Sequence, residues 1–74
     1  MKKKILIKNL EKIIEKKNIS EKSDLNDLGL DSLKILEIMA FNDLSFNSLK
    51  ISPDKINKCK TFGQLIKLYE KKIT

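Results

Sequence analysis

The residues that decide the fold are Asp27-Leu28-Gly29-Leu30-Asp31-Ser32-Leu33-Lys34, close to the middle of a chain of 74 residues. A loop rich in turn-forming residues ends here, and Gly29 frees the backbone for a tight turn. An apolar run with helical periodicity follows at once, with Asp31 as its predicted N-cap. Ser32 is therefore expected at the start of a helix, where its side chain points outward and is open to covalent modification.

Two helices and the connection between them are predicted around this point. The first helix covers about residues 3–17, because its apolar residues follow the stripe of an amphipathic helix, and Asn18 is its expected stop. Residues 19–31 form a long connection. The second helix is predicted to run from Ser32 to Asn42 or Leu44.

The remaining sequence predicts a short third helix and a closing fourth helix. Ser52 is the expected N-cap of the third helix, with Pro53 at its first position. Thr61 and Gln64 have the spacing of a capping box, which predicts a last helix that runs to about Lys72. The result is an all-α fold, a small four-helix bundle with three main helices and one short helix, in a single domain over residues 1–74.

The expected core consists of the apolar residues on the helical stripes and of anchors in the loops. They are Leu6, Leu10, Ile13, Ile14, Ile19, Leu25, Leu28, Phe46, Ile51, Ile56, Phe62, Leu65, Ile66 and Tyr69. The second helix differs from the others, since its apolar residues cover more than one face. Such a helix is either deeply buried or keeps apolar surface for a partner.

The composition argues against several classes of function. The chain contains no His, one Cys and one Tyr, which removes the commonest general base, the Ser–His and Cys–His pairs and most transition-metal sites. We therefore expect neither an autonomous enzyme nor a metal site, and we interpret Cys59 as a small filler or a surface residue. The single cysteine and the lack of an apolar run of about 18–20 residues predict a cytoplasmic protein without a membrane span. We expect it to be a monomer.

Charge is distributed unevenly along the chain, whose net charge is +6. Residues 1–23 carry eight Lys and three Glu, residues 24–54 carry six acidic residues and two Lys, and residues 55–74 carry six Lys and one Glu. The lysines are either solvated helix faces or a surface for nucleic acid or an anionic membrane. The absence of Arg and the scarcity of aromatic residues favour solvated faces, so no nucleic-acid partner is expected.

Around Ser32 the sequence resembles the acyl carrier protein family. The resemblance rests on the pattern Leu-Gly-x-Asp-Ser-Leu at residues 28–33, on Glu37 five residues after the serine and on Phe46 fourteen residues after it. A short Pro-containing helix near residues 51–53 and a closing helix near residues 61–65 follow in the family's order. The resemblance covers nearly the whole chain, and it implies an acyl-carrier-like helical bundle.

This resemblance implies that Ser32 Oγ receives 4′-phosphopantetheine from coenzyme A, donated by a separate phosphopantetheinyl transferase, with Asp31 as a neighbouring cofactor-binding residue. The chemistry is consistent, because a serine without a nearby base is a weak nucleophile and would be a substrate. A phosphodiester is also favoured at a helix N-terminus. Acyl or aminoacyl cargo would travel on the arm as a thioester. The implied partners are an adenylating ligase, an acyltransferase or a synthase.

The same resemblance assigns roles to the faces of the second helix. It places apolar partner contacts at Leu33, Leu36 and Ala40. It places acidic positions that pair with basic patches on partner enzymes at Glu37 and Asp43. Residues that would line any acyl-chain pocket are Ile35, Ile38, Met39 and Phe46.

Three positions depart from the family's usual pattern. Lys34 stands where typical fatty-acid carriers place an acid, Asn42 occupies a position that is usually apolar, and the crossing from Phe46 to Pro53 is about two residues longer than usual. With the positive net charge, these departures predict a carrier dedicated to one pathway: an aminoacyl or D-alanyl type carrier, or one for polyketide, nonribosomal-peptide or surface-glycan acylation. The alternative is a small basic helical protein that binds nucleic acid or an anionic surface.

Overall fold

The architecture is entirely helical in a computed structural model that describes residues 1–46 and 49–73. Its helices follow in the order α1 (Lys3–Ile14), α2 (Ser32–Ser45), α3 (Pro53–Lys58) and α4 (Phe62–Lys67). Within the described ranges there is no strand, only an isolated bridge between Asp24 and Thr61. The predicted all-α, four-helix fold is confirmed, although α4 is as short as α3, with six residues each.

All four helices contribute to one hydrophobic core. The residues with no exposed surface are Leu6, Leu10, Ile38, Ile56, Phe62, Leu65 and Tyr69. Phe46 and Ile51 are buried as predicted, on either side of a crossing whose residues 47 and 48 lie outside the described ranges. Ile13, Ile19 and Leu28, which were also expected in the core, are half-buried and pack against its edge.

Helix α1 ends three residues earlier than its pattern predicts. It stops at Ile14, and Glu15 takes the left-handed conformation at φ 66°. Two contacts from outside the helix hold this end: the Lys34 ammonium binds the Ile13 carbonyl at 2.9 Å, and the Ile19 N–H donates to the Glu11 carboxylate at 2.9 Å. Asn18 is left-handed too, at φ 57°, but it lies beyond the helix end, so its predicted role as the stop is wrong.

The long connection before α2 is fastened to the junction of α3 and α4. Three backbone hydrogen bonds of 2.9 Å each do this, from Leu25 N to Lys60 O, from Phe62 N to Ser23 O and from Gly63 N to Glu21 O. Gly29 then makes the turn into α2 with φ 76°, a conformation that glycine adopts readily. The start of α2 is thus held in place by contacts far away in sequence.

The caps of the last two helices largely follow the sequence signals. Ser52 Oγ accepts from Lys55 N with Pro53 at the first helical position, and Thr61 Oγ1 accepts from Gln64 N at 3.2 Å. The capping box is only half formed, because the Gln64 side chain accepts from Lys60 N at 2.7 Å rather than from the N-cap residue.

Helix α4 ends at Lys67, so the predicted extension to about Lys72 is wrong. Beyond Lys67 the chain continues in tight turns, in which the N–H groups of Leu68, Tyr69, Glu70 and Lys72 donate to the carbonyl three residues before them. Tyr69 lies in these turns and is completely buried, with its hydroxyl bonded to Asn42 on α2. The amphipathic pattern that predicted a longer helix does not encode this tertiary contact.

Candidate attachment site

Ser32 is the first residue of α2 and is exposed to solvent. Asp31 is the N-cap, as predicted, and its Oδ1 accepts from Lys34 N at 3.0 Å. The Asp31 carbonyl accepts from Ile35 N at 2.9 Å. In the described part of the chain, Ser32 Oγ has no hydrogen-bond partner. Its hydroxyl is therefore accessible and not committed to a structural contact.

The backbone at this helix start suits an anionic substituent. The N–H groups of Ser32 and Leu33 have no acceptor within residues 1–46 and 49–73, as is usual for the first turn of a helix. Unpaired N–H groups and the positive end of the helix dipole stabilise a phosphate group at such a position. The residues present therefore fit a phosphodiester on Ser32 Oγ.

No basic group forms a hydrogen bond with this hydroxyl within residues 1–46 and 49–73. The chain has no His, and the nearest lysine in sequence, Lys34, is turned away onto α1. Its ammonium donates to the Ile13 carbonyl at 2.9 Å and pairs with Glu15 at 3.3 Å. Without a basic partner, a serine hydroxyl is a weak nucleophile.

The position of Lys34 corrects one interpretation of the sequence. Its place in the motif suggested a positive charge within an acidic partner surface. Its side chain is instead only 18% exposed and joins the C-terminal end of α1 to the first turn of α2. A cation at a helix C-terminus is stabilising, so the role of Lys34 that the contacts show is structural.

Replacing Lys34 with Met tests this structural role. The variant keeps the aliphatic stem and removes both polar contacts, so we expect the free energy of unfolding to fall by about 1 kcal/mol. Denaturant unfolding monitored by circular dichroism measures the change. Lys12→Met on the exposed side of α1 is the matched control, and a loss of the same size in the control would contradict the assignment.

Helix α2 keeps a large apolar surface exposed. Leu33 and Leu36 are each 63% exposed, and Ala40, Glu37 and Asp43 are exposed as well. The sequence left two alternatives for this helix, deep burial or an apolar surface kept for a partner. The exposed leucines show that its outer face keeps apolar surface. Leu44, 89% exposed, extends this face and was not predicted as part of it. The signal was available, because Leu36, Ala40 and Leu44 form one i, i+4, i+8 row.

A shallow groove of about 250 Å³ adjoins the serine between α2 and α3. It is lined by Ser32, Ile35, Leu36, Pro53 and Asn57. Pro53 and Asn57 come from α3, and the sequence carried no signal that they would meet Ser32. Two larger grooves, of about 550 and 460 Å³, are lined by other residues and do not include Ser32.

The inner face of α2 is mostly apolar but contains one polar residue. Ile35, Ile38 and Phe46 are buried, while Met39 is half-buried against the core. Asn42 is also buried, and its Oδ1 accepts a hydrogen bond of 2.6 Å from the Tyr69 hydroxyl. Burial raises the pKa of Tyr69 to about 12, even though the bond to Asn42 lowers it, so the hydroxyl remains a donor at neutral pH.

Cys59 has the surroundings of a structural residue. It is half-buried at the end of α3, and its thiol donates to the Lys55 carbonyl at 3.3 Å. Burial raises the pKa of the thiol, which disfavours the reactive thiolate. In the part of the chain that the structure describes, no group of three or more His, Cys, Asp or Glu side chains could hold a metal ion.

The fold and the site together define a class: a small helical domain that presents an accessible, unactivated serine at a helix N-terminus. A family model described as the phosphopantetheine attachment site matches residues 4–69. The chain belongs to this family, which confirms the predicted relationship to acyl carrier proteins. It is a phosphopantetheine-carrying carrier protein, and the cofactor of the family is covalently attached 4′-phosphopantetheine.

Searches of curated proteins and of solved structures found no significant match. Carrier domains of this family are typically non-catalytic and work with a phosphopantetheinyl transferase and with synthases. None of the helices in residues 1–46 and 49–73 is long and apolar enough to cross a membrane.

Proposed function

We propose that Ser32 is the attachment residue and that residues 1–74 act as one carrier domain for acyl or aminoacyl thioesters. The observation that carries this proposal is the exposed Ser32 hydroxyl, free of structural contacts, beside two unpaired N–H groups. When attached, 4′-phosphopantetheine supplies a terminal thiol on a flexible arm. The chain's own contribution is to hold its serine open to a transferase and to offer N–H groups to the phosphate.

Intact-mass measurement tests this function. The purified chain is incubated with coenzyme A, Mg²⁺ and a broad-specificity phosphopantetheinyl transferase. We expect a mass gain equal to one phosphopantetheine group. The alternative, a basic protein that binds nucleic acid or an anionic surface, predicts no mass gain and a DNA affinity that falls steeply with salt.

The exposed face of α2 is the proposed docking surface for partner enzymes. Leu33, Leu36 and Ala40 supply apolar contact area beside Ser32, and Leu44 extends it along the helix. Glu37 and Asp43 supply negative charge, while the charge of Lys34 is partly balanced by its ion pair with Glu15. Opposite charges on carrier and enzyme accelerate encounter and exclude wrong partners more than they increase affinity, which suits a protein that must bind and leave repeatedly.

Reversing one of these charges is expected to slow modification. For Glu37→Lys, kcat/KM for phosphopantetheinyl transfer is expected to fall on the order of tenfold at low salt, with a smaller loss at high salt. Initial rates followed by intact mass measure the change. Glu70→Lys makes the same change of charge outside α2 and should leave the rate nearly unaltered; an equal loss there would mean that net charge alone matters.

The proposed carrier serves one dedicated pathway. The candidate classes are aminoacyl, polyketide, nonribosomal-peptide and surface-glycan acylation. An adenylating ligase or an acyltransferase would load the cargo. A dedicated pathway is supported by the net charge of +6 and by the polar residue Asn42 inside the core. Lys34 does not support a dedicated pathway, because its ammonium binds the Ile13 carbonyl and the Glu15 carboxylate within the domain. We also propose that the carrier acts in the cytoplasm as a monomer.

A further inference from the structure

Asn42 leaves one hydrogen-bonding group unused in the core. The residue is 3% exposed, and its Oδ1 is satisfied by the Tyr69 hydroxyl. Its Nδ2 is buried and has no acceptor among the described residues. A buried donor without a partner is destabilising, and native proteins rarely keep one. The Asn42 amide can therefore still donate one hydrogen bond to an acceptor that the described residues do not supply.

Tyr69, whose hydroxyl binds Asn42, belongs to a cluster of three aromatic rings. The Phe46 ring lies 5.6 Å from the Tyr69 ring, between centroids, and the Phe41 ring lies 6.1 Å from the Phe46 ring. Asn42 is the only buried polar residue in the described part of the chain. An acceptor that reached Nδ2 would make a hydrogen bond shielded from water, where such bonds are electrostatically stronger than in solvent.

The unused donor and the attachment serine are connected by one stripe of α2. The buried residues of this helix are Ile35, Ile38 and Asn42, which follow the i, i+3, i+7 spacing of a single face. Ile35 also lines the groove that contains Ser32. Asn42 lies about 10 Å further along the helix axis than Ile35, at about 1.5 Å per residue. Ile38 lies between them and has no exposed surface, so a chain that follows this stripe from the groove to the Asn42 amide must displace the core side chains around it.

From this arrangement we infer that Asn42 Nδ2 is a specificity determinant that binds a hydrogen-bond acceptor, such as a keto oxygen, within the acyl cargo. The inference rests on the proposed attachment at Ser32. An unsubstituted acyl chain of the same length would cover the donor with methylene groups and leave it unpaired. Sites with a buried polar group discriminate strongly against ligands that cannot pair with it. The favoured cargo class is therefore an oxo-substituted acyl chain of medium length.

The experiment compares carriers loaded with matched chains. Octanoyl, 3-oxooctanoyl, 5-oxooctanoyl and 7-oxooctanoyl coenzyme A are used with the transferase, and intact mass confirms each product. We expect one oxo isomer to raise the thermal midpoint about 4–8 °C above that of the octanoyl form, the shift typical of one restored hydrogen bond in a domain of this size. The same isomer should move the Asn42 side-chain amide signals in NMR spectra, and octanoyl should not.

A double variant, Asn42→Leu with Tyr69→Phe, provides the control. Replacing both partners with apolar groups of similar shape is nearly neutral for folding, so this protein should fold and accept every chain, and the oxo preference should disappear. Equal midpoints for all four chains in the wild type, with unmoved Asn42 signals, would overturn the inference and leave the proposed function intact. If none of the four chains can be loaded, the proposed function is overturned, and the inference with it.

Discussion

Ser32→Ala should abolish phosphopantetheinylation completely, while the variant remains folded. The hydroxyl is the proposed nucleophile in transfer from coenzyme A, and its loss leaves the transferase without an acceptor atom. Ser32 Oγ makes no hydrogen bond with the described residues, so its removal should change the free energy of unfolding by less than about 0.5 kcal/mol. Intact mass and thermal unfolding, measured on the same sample, separate the two effects.

Ser45→Ala is the matched control for this experiment. Ser45 is exposed at the other end of α2, so a transferase that recognises the helix start should modify the variant at the wild-type rate. A mass gain that persists in Ser32→Ala would place the attachment elsewhere. Peptide mapping of the modified wild-type chain would then identify the residue.

Gly63→Ala is expected to destabilise the fold, although the usual effect of this change inside a helix is the opposite. Alanine is favoured over glycine within helices by roughly 0.5–1 kcal/mol. A Cβ at position 63, however, would lie 2.9 Å from the Glu21 carbonyl oxygen and 3.1 Å from the Glu21 Cβ. The Gly63 N–H also donates to that carbonyl at 2.9 Å. Because the contact involves backbone, the connection must shift, and we expect a net loss of about 1–2 kcal/mol.

Chemical denaturation measures this loss, and Lys67→Ala on the exposed side of α4 is its control. The control should stay within about 0.5 kcal/mol of the wild type. An unchanged or increased stability in Gly63→Ala would show that the connection is not held tightly against α4. The result matters for the site, since this connection leads directly to the turn before Ser32.

The fold was largely predictable because its helix starts are encoded locally. Asp31, Ser52 and Thr61 each cap the helix that follows, as their side-chain types predict. The same holds for the exposure of Ser32, which depends on a turn and a cap that are adjacent in sequence. Helix ends were less predictable, and both errors concern ends that are fixed by distant residues, Lys34 for α1 and the Asn42–Tyr69 pair for the segment after α4.

The surroundings of the site were harder to derive from sequence for the same reason. Pairing of α3 with α2 brings Pro53 and Asn57 to the serine, and no spacing within either helix encodes that encounter. Lys34 belongs by sequence to the acidic face, but a flexible side chain can reach a carbonyl on another helix. The departure from the family pattern at Lys34 therefore has a structural explanation, and for the departure at Asn42 the proposed explanation is recognition of the cargo.

Separation of charge along the chain has a consequence for how this carrier approaches an enzyme. Acidic side chains are exposed on and just before α2, whereas residues 1–23 and 55–74 expose most of the lysines. A basic enzyme surface repels the net charge of +6 as a whole, but the uneven distribution also produces a torque that turns the acidic side towards the enzyme. The carrier would rotate so that Ser32 faces the enzyme before contact, despite its positive net charge. At about 1 M salt the Debye length falls to about 3 Å, and orientation would then depend on random collision.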